Sequence, residues 1–216
     1  MTNVTYGRGQ AEWALWKSFT FAGGSSDDVP KVFRTRIKRL LDIDRDSDFA
    51  QPQPVRWSVV APPEESGADA LYTEIDVFSL AIGLDLLDTG FKQSEVVYLM
   101  RFLRPALEAR MPGLLERPSL LSRRPISRGS DARQFVVLSK VELREIVATD
   151  KIQAHKAPLF LEPIFCEGAE GLSQVLDDAM PYRRRVVTVV ELTMIAQAVK
   201  EFLPKAPSIR RGRPKV

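Results

Sequence analysis

Apolar residues recur at helical spacing through the first half of the chain, with polar positions between them. Ala11, Trp13, Ala14, Leu15, Trp16 and Phe19 predict a first helix over Gly9–Phe19. Residues 23–28, Gly-Gly-Ser-Ser-Asp-Asp, read as a loop that supplies a cap. Pro30 suits the first turn of a helix, where no backbone donor is needed. That helix is expected from about Val29 to Leu41. Val32, Phe33, Ile37, Leu40 and Leu41 form its apolar stripe, and Arg34, Arg36, Lys38 and Arg39 fall on the remainder. An acidic stretch, Asp42, Asp44, Asp46 and Asp48, is expected to end it.

The pattern then changes period. Val55–Val60 alternates like a short strand. Ala61–Ala68 holds two prolines and a glycine and predicts a loop, and Ala70–Tyr72 a returning strand, making a hairpin with a long tip. Thr73-Glu74-Ile75-Asp76 is a capping pattern before a strongly apolar run through Leu87. Gly90 is a helix stop, free to take the left-handed conformation. Gln93–Ala109 predicts another helix, with Val96, Leu99, Leu103 and Leu107 on one face and Pro105 bending it or ending its regular part.

Pro112, Pro118 and Pro125, with Gly113 and Gly129, mark a linker. Beyond it, strands are expected within Arg133–Leu143, Pro158–Cys166 and Val186–Val189. Helices are expected over Ala169–Ala179 and from Leu192 through Phe202 to Pro204. The fold class predicted is α+β. An N-terminal domain spans 1–111, a basic proline-rich linker 112–132, a smaller α/β domain 133–204 for self-association or sensing, and a basic disordered tail 205–216.

Charge sharpens this division. Lys and Arg number 31 against 28 Asp and Glu, a net +3. Residues 205–216 hold five cations and no acid, which leaves 26 cations against 28 acids before them. Residues 31–45 and 117–133 are each +4. A near-neutral body with placed basic runs points to a polyanionic partner.

Several classes of function are excluded or left without support. One cysteine, Cys166, makes no internal disulfide, and with one histidine, His155, it builds no zinc site. No run of apolar residues is long enough to span a membrane, and Met1–Tyr6 lacks the pattern of a signal peptide. Gly7-Arg8-Gly9 and Gly23-Gly24-Ser25-Ser26 lack the Gly-Lys-Ser/Thr ending of a phosphate loop. The alternation Asp42-x-Asp44-x-Asp46 has Ser47 and Gln53 where a calcium loop needs glycine and glutamate. No nucleophile turn is present, and the chain reads as a non-enzyme without a cofactor.

Two resemblances carry function. Arg211-Gly212-Arg213-Pro214, flanked by Arg210 and Lys215, resembles the core of an AT-hook. There glycine lets the backbone lie on the floor of a narrow minor groove while the arginines follow its negative potential. Tyr72-Thr73-Glu74-Ile75-Asp76-Val77, then Leu86-Leu87-Asp88-Thr89-Gly90-Phe91-Lys92-Gln93-Ser94-Glu95-Val96 and Leu99-Met100, resembles the later half of a MerR-type winged-helix DNA-binding domain. That likeness covers about a sixth of the chain. It implies a wing over Val55–Tyr72 and a recognition helix over Pro30–Leu41. Departures are a longer turn before Pro30, Lys92 where the family has a serine cap, and proline-rich sequence in place of the long dimerising helix.

The expected DNA contacts are Lys31, Arg34, Thr35, Arg36, Lys38 and Arg39 on the helix, Arg56 and Trp57 in the wing, and Arg210, Arg211, Gly212, Arg213, Pro214 and Lys215 in the tail. The function expected is a cytoplasmic, nucleoid-associated, sequence-specific transcriptional regulator, with double-stranded DNA as partner and a homodimer or higher oligomer as assembly. A small-molecule effector has no support in the residues. An architectural chromosome-binding protein without a defined operator, or a protein–protein adaptor, stands as the alternative.

Overall fold

The computed structural model describes residues 4–20, 27–46, 58–60, 70–119, 121, 133–140, 160–178 and 187–208. In chain order they form α1 (Arg8–Thr20), α2 (Lys31–Asp46), α3 (Glu74–Asp88), α4 (Gln93–Leu115), β1 (Gln134–Leu138), β2 (Ile164–Glu167), α5 (Gly168–Asp178), β3 (Thr188–Glu191) and α6 (Thr193–Phe202). A single 3-10 turn, Leu203–Lys205, closes α6. This mixture of helices and a small sheet agrees with the α+β class.

The chain divides into two compact units. The described residues up to Leu115, with those from Ile195 on, form the first, and Glu116–Met194 lies in the second. The sequence placed the C-terminal helix wholly in the second domain. Most of α6 instead belongs with the helices of the first. Its 3-10 turn lies against α1, where Gln10 Nε2 donates to the Ala206 carbonyl at 3.3 Å.

The helical unit is organised around α3, which is apolar on nearly every side and buried on nearly every side. Its start is the capping box read from sequence. Thr73 Oγ1 accepts from the Asp76 amide, and the Asp76 carboxylate accepts from the Thr73 amide at 2.8 Å. Its end is Gly90, at φ 93°, with the Phe91 amide donating back to the Leu86 carbonyl. Gly83 lets α4 come close, since a Cβ there would stand 3.2 Å from Val96 Cγ1.

Three expectations in this unit are corrected. The acidic stretch does not end α2, which runs on to Asp46 because Asp44 turns inward and is buried. Pro105 does not end α4, and Pro112 does not open a linker. The helix continues through both to Leu115, with both prolines exposed. A proline removes one backbone bond, and the buried Leu103, Leu107, Met111 and Leu114 on the opposite face outweigh that loss. Finally, Tyr72 does not return against the described residues 58–60. Its amide and carbonyl pair with those of Tyr6, at 2.9 and 2.8 Å. The Val59 and Val60 amides donate instead to the Asp44 carboxylate. Residues 51–57 and 61–69, including most of the expected wing, lie outside the described residues.

The second unit holds a three-stranded sheet in the order β2–β1–β3, and its described strands all pair antiparallel, without a parallel crossover of α/β type among the described residues. Phe135 pairs with Cys166 and Glu191, and Val137 with Ile164 and Val189. β1 is buried on both faces, with Val136 and Val137 at 0% and 2% exposure. That accounts for its continuous apolar run. α5 follows β2 directly through Gly168, at φ 68°, and packs near Cys166, whose Cβ would be 3.7 Å from a Cβ at Gly171. Burial pushes the half-buried Cys166 thiol up from its ordinary pKa. β3 begins and ends two residues later than expected.

Candidate nucleic-acid interface

α2 carries the cations that the sequence nominated. At about 100° per residue, Ile37, Leu40, Leu41 and Asp44 share one face, and all four are buried. The opposite arc holds Lys31, Thr35, Lys38 and Arg39. Lys31, Lys38 and Arg39 are exposed there, and Thr35 Oγ1 donates to the Lys31 carbonyl at 2.9 Å. Arg34 and Arg36 lie on opposite flanks of this arc, about 160° apart around the axis. The α2 part of the expected DNA site thus spans about 200° of the helix, from Arg34 through Lys38, Lys31, Thr35 and Arg39 to Arg36. Arg56, Trp57 and the tail residues Arg210, Arg211, Gly212, Arg213, Pro214 and Lys215 lie outside the described residues.

The packing of α2 explains this orientation. Phe33 makes edge contacts with Trp16 and Phe19 of α1, with ring centroids 5.4 and 6.0 Å apart. Trp13 lies under the Lys17 ammonium, 5.6 Å from its ring centre. The C-terminal half of α2 is tied to α4. Arg101 Nε donates to Asp44 Oδ1 at 2.7 Å, and Arg101 Nη2 donates to the Asp44 carbonyl. Arg104 Nη1 stands 2.7 Å from Asp76 Oδ1 and also donates to the Val59 carbonyl. Asp44 therefore holds two amides and a guanidinium at once. Such satisfaction is what allows a carboxylate to remain buried.

Acids meet three of the nominated cations. Arg34 Nε lies 3.7 Å from Glu12 Oε2, and Arg8 Nε donates to the other oxygen of Glu12 at 2.8 Å. Glu12 is buried. Arg36 Nη2 pairs with Asp88 at the end of α3, and Lys38 is 3.9 Å from Asp42. Among the described residues, Lys31 and Arg39 have no ion-pair partner.

Beside this face is a shallow open cleft. Arg36, Arg39 and Ile43 of α2 line one side of it. Leu87 from the end of α3, Phe91 and Lys92 from the turn, and Gln93 and Ser94 from the start of α4 line the other. Lys92 stands just before α4, and its amide donates to Glu95 Oε2 at 2.9 Å. The fold adds the exposed Lys92 to the basic surface. One turn inward from Asp88, burial and then the Asp88 charge push Asp85 up to about 6.

Sequence reasoning missed Glu12, Asp44, Asp88, Arg101 and Arg104. Glu12 had one local signal, its i,i+4 spacing from Arg8. The others form ion pairs over 28 to 57 positions, so no local pattern marks them. Among the described residues no group of His, Cys, Asp and Glu could hold a metal ion, and no helix is long and apolar enough to cross a membrane. The chain matches no protein-family model, no curated protein and no solved structure.

Proposed function

We propose that the protein is a sequence-specific DNA-binding regulator that lays the outward arc of α2 in the major groove. The observation that carries this reading is the arc itself. Lys31, Lys38 and Arg39, with Arg34 on the flank, are exposed on a helix whose opposite face is locked into the unit by Ile37, Leu40, Leu41 and Asp44. A rigidly seated helix that projects cations is the form in which a helix enters a groove. Phosphate contacts set affinity and register, and side chains on the same arc reach base edges.

Arg36, Arg39 and Lys92 around the neighbouring cleft supply further phosphate contacts. The basic run Arg210–Lys215 adds a minor-groove contact in the manner of an AT-hook. The resemblance of residues 71–104 to the MerR-type domain supports the same placement of DNA.

Binding of the full chain to genomic fragments at two salt concentrations, with competitor DNA, tests the reading. A fragment retained at the higher salt is expected. The triple variant Lys31→Ala, Lys38→Ala, Arg39→Ala should lose binding and flatten the salt dependence by about one unit of slope per contact removed. Binding carried unchanged by that variant would overturn α2 as the contact surface. Equal affinity for all fragments would replace the regulator with an architectural protein.

A further inference from the structure

We infer that Arg34 is the residue of α2 that reads a guanine, and that Glu12 is the positioning residue that aims it. The inference rests on the reading of α2 as the DNA-contacting helix. It comes from which nitrogen of each arginine faces an acid.

Glu12 Oε2 faces the Nε of Arg34 at 3.7 Å. The two terminal nitrogens, Nη1 and Nη2, are therefore left for another partner. Those two nitrogens form the fork that meets guanine O6 and N7 together. Arg36 differs, because its Nη2 is the atom paired with Asp88. Arg39 is exposed and has no ion partner among the described residues, so binding would have to order it from free rotation.

The anchor is also unequal. The Glu12 side chain is 4% exposed, whereas Asp88 is 58% exposed. A buried carboxylate attracts a guanidinium through a less screened contact than an exposed one does. Arg8 contacts the other Glu12 oxygen at 2.8 Å, so the carboxylate is fixed from one side and directs Arg34 from the other. Arg34 itself is 48% exposed and sits in the first turn of α2, the end of a recognition helix that meets base edges. An ion pair between helices with only its acid buried adds little to stability compared with apolar packing, and its value here is to favour one geometry.

The experiment selects a preferred duplex from a random pool with the full wild-type chain. Binding to that duplex, to its single-base variants and to bulk DNA is then measured for wild type, Arg34→Lys, Glu12→Gln and the double variant, after a thermal melt confirms folding. Arg34→Lys keeps the charge on a half-exposed position, so it tests the idea even where Glu12→Gln fails to fold.

The expected result is a tenfold to hundredfold loss of preference at one G·C pair in Arg34→Lys, at about the range of one bidentate contact. Affinity for bulk DNA and the salt slope should stay the same. Glu12→Gln should lose part of the same preference at the same pair and add nothing to Arg34→Lys in the double variant. A uniform loss across all duplexes would make Arg34 a phosphate contact and overturn the inference. So would an unchanged base preference in Arg34→Lys, or an additive Glu12 effect. A wild-type chain that selects no sequence, or binds no DNA, sinks the functional reading itself and this inference with it.

Discussion

The two units of the chain are held by different means. In the helical unit, Glu12, Asp44 and Asp76 are buried and each faces an arginine. In the sheet unit, the buried positions of β1 are apolar apart from Ser139 at its end, and the described ion pair, Arg117 with Glu167, has a carboxylate 61% exposed. Apolar alternation tells a strand which face is inside, and any residue of similar volume keeps that instruction. A buried carboxylate tells a helix which partner it must face. The helical unit therefore carries the more exacting information about orientation, and it is the unit that presents α2.

Removing one half of a buried pair should expose this difference most strongly. Asp44→Ala leaves Arg101 facing a void and two amides without an acceptor. A loss of about 3–5 kcal/mol is expected in urea unfolding. Replacing both partners by apolar residues should recover part of that loss. If Asp44→Ala alone costs under about 1 kcal/mol, the pair is not what fixes α2.

In the sheet unit, Val136→Ala removes two methyl groups from a fully buried position, and about 2 kcal/mol is expected. No second substitution of a charged partner should rescue it. A rescue by any charge change would show that the two units are built alike after all.

The same contrast explains what could be read from the sequence. The α3 cap, the Gly90 stop, the Ile37–Leu41 part of the α2 stripe and the apolar core of β1 all rest on residues within about a turn or one strand of each other, whereas Val32, expected in that stripe, is 74% exposed. They follow from local periodicity. The inward turn of Asp44 could not be read, because an aspartate among aspartates looks solvated until Arg101, 57 positions away, arrives beside it. The passage of α4 through Pro105 was hidden for a related reason. Proline's local penalty was visible, and the burial that offsets it depends on the rest of the unit. The partner of Tyr72 was misassigned because a hairpin is the nearest pairing in sequence, whereas Tyr6 is near only in space. For the candidate interface, the cations of α2 were legible and their acid partners were not.

Asp85 gives the comparison a pH axis. Its carboxyl is pushed up to about 6 in the fold, chiefly by burial and then by Asp88, from an ordinary value of 3.8. The folded chain therefore binds more protons than the unfolded chain between these values, so stability falls as pH rises through that window. The contribution is fully present below about pH 4 and lost above about pH 6. Asp85→Asn should flatten this part of the curve and raise stability at neutral pH by about 1–2 kcal/mol, after solvent screening. A melting temperature that stays equally pH-dependent in Asp85→Asn would place the origin elsewhere.

The smallest effect on stability should come from Asp88, and it sharpens the contrast between buried and exposed acids. Its pair with Arg36 is exposed on both sides, so Asp88→Asn should change unfolding by no more than about 0.5 kcal/mol. Its effect on DNA should still be measurable, because Asp88 lies at the basic surface and competes with phosphate for the Arg36 guanidinium. Losing it frees Arg36, removes one repulsive charge near DNA, and relieves Asp85 of its neighbour's charge. Bulk DNA should bind several-fold more tightly in Asp88→Asn at low salt, and the gain should shrink as salt rises. The preference for the selected duplex should not improve, since a freed Arg36 strengthens phosphate contact without reading a base. Weaker bulk binding in Asp88→Asn would mean that Asp88 holds Arg36 in place for DNA, and the two flanks of α2 would then work by the same principle.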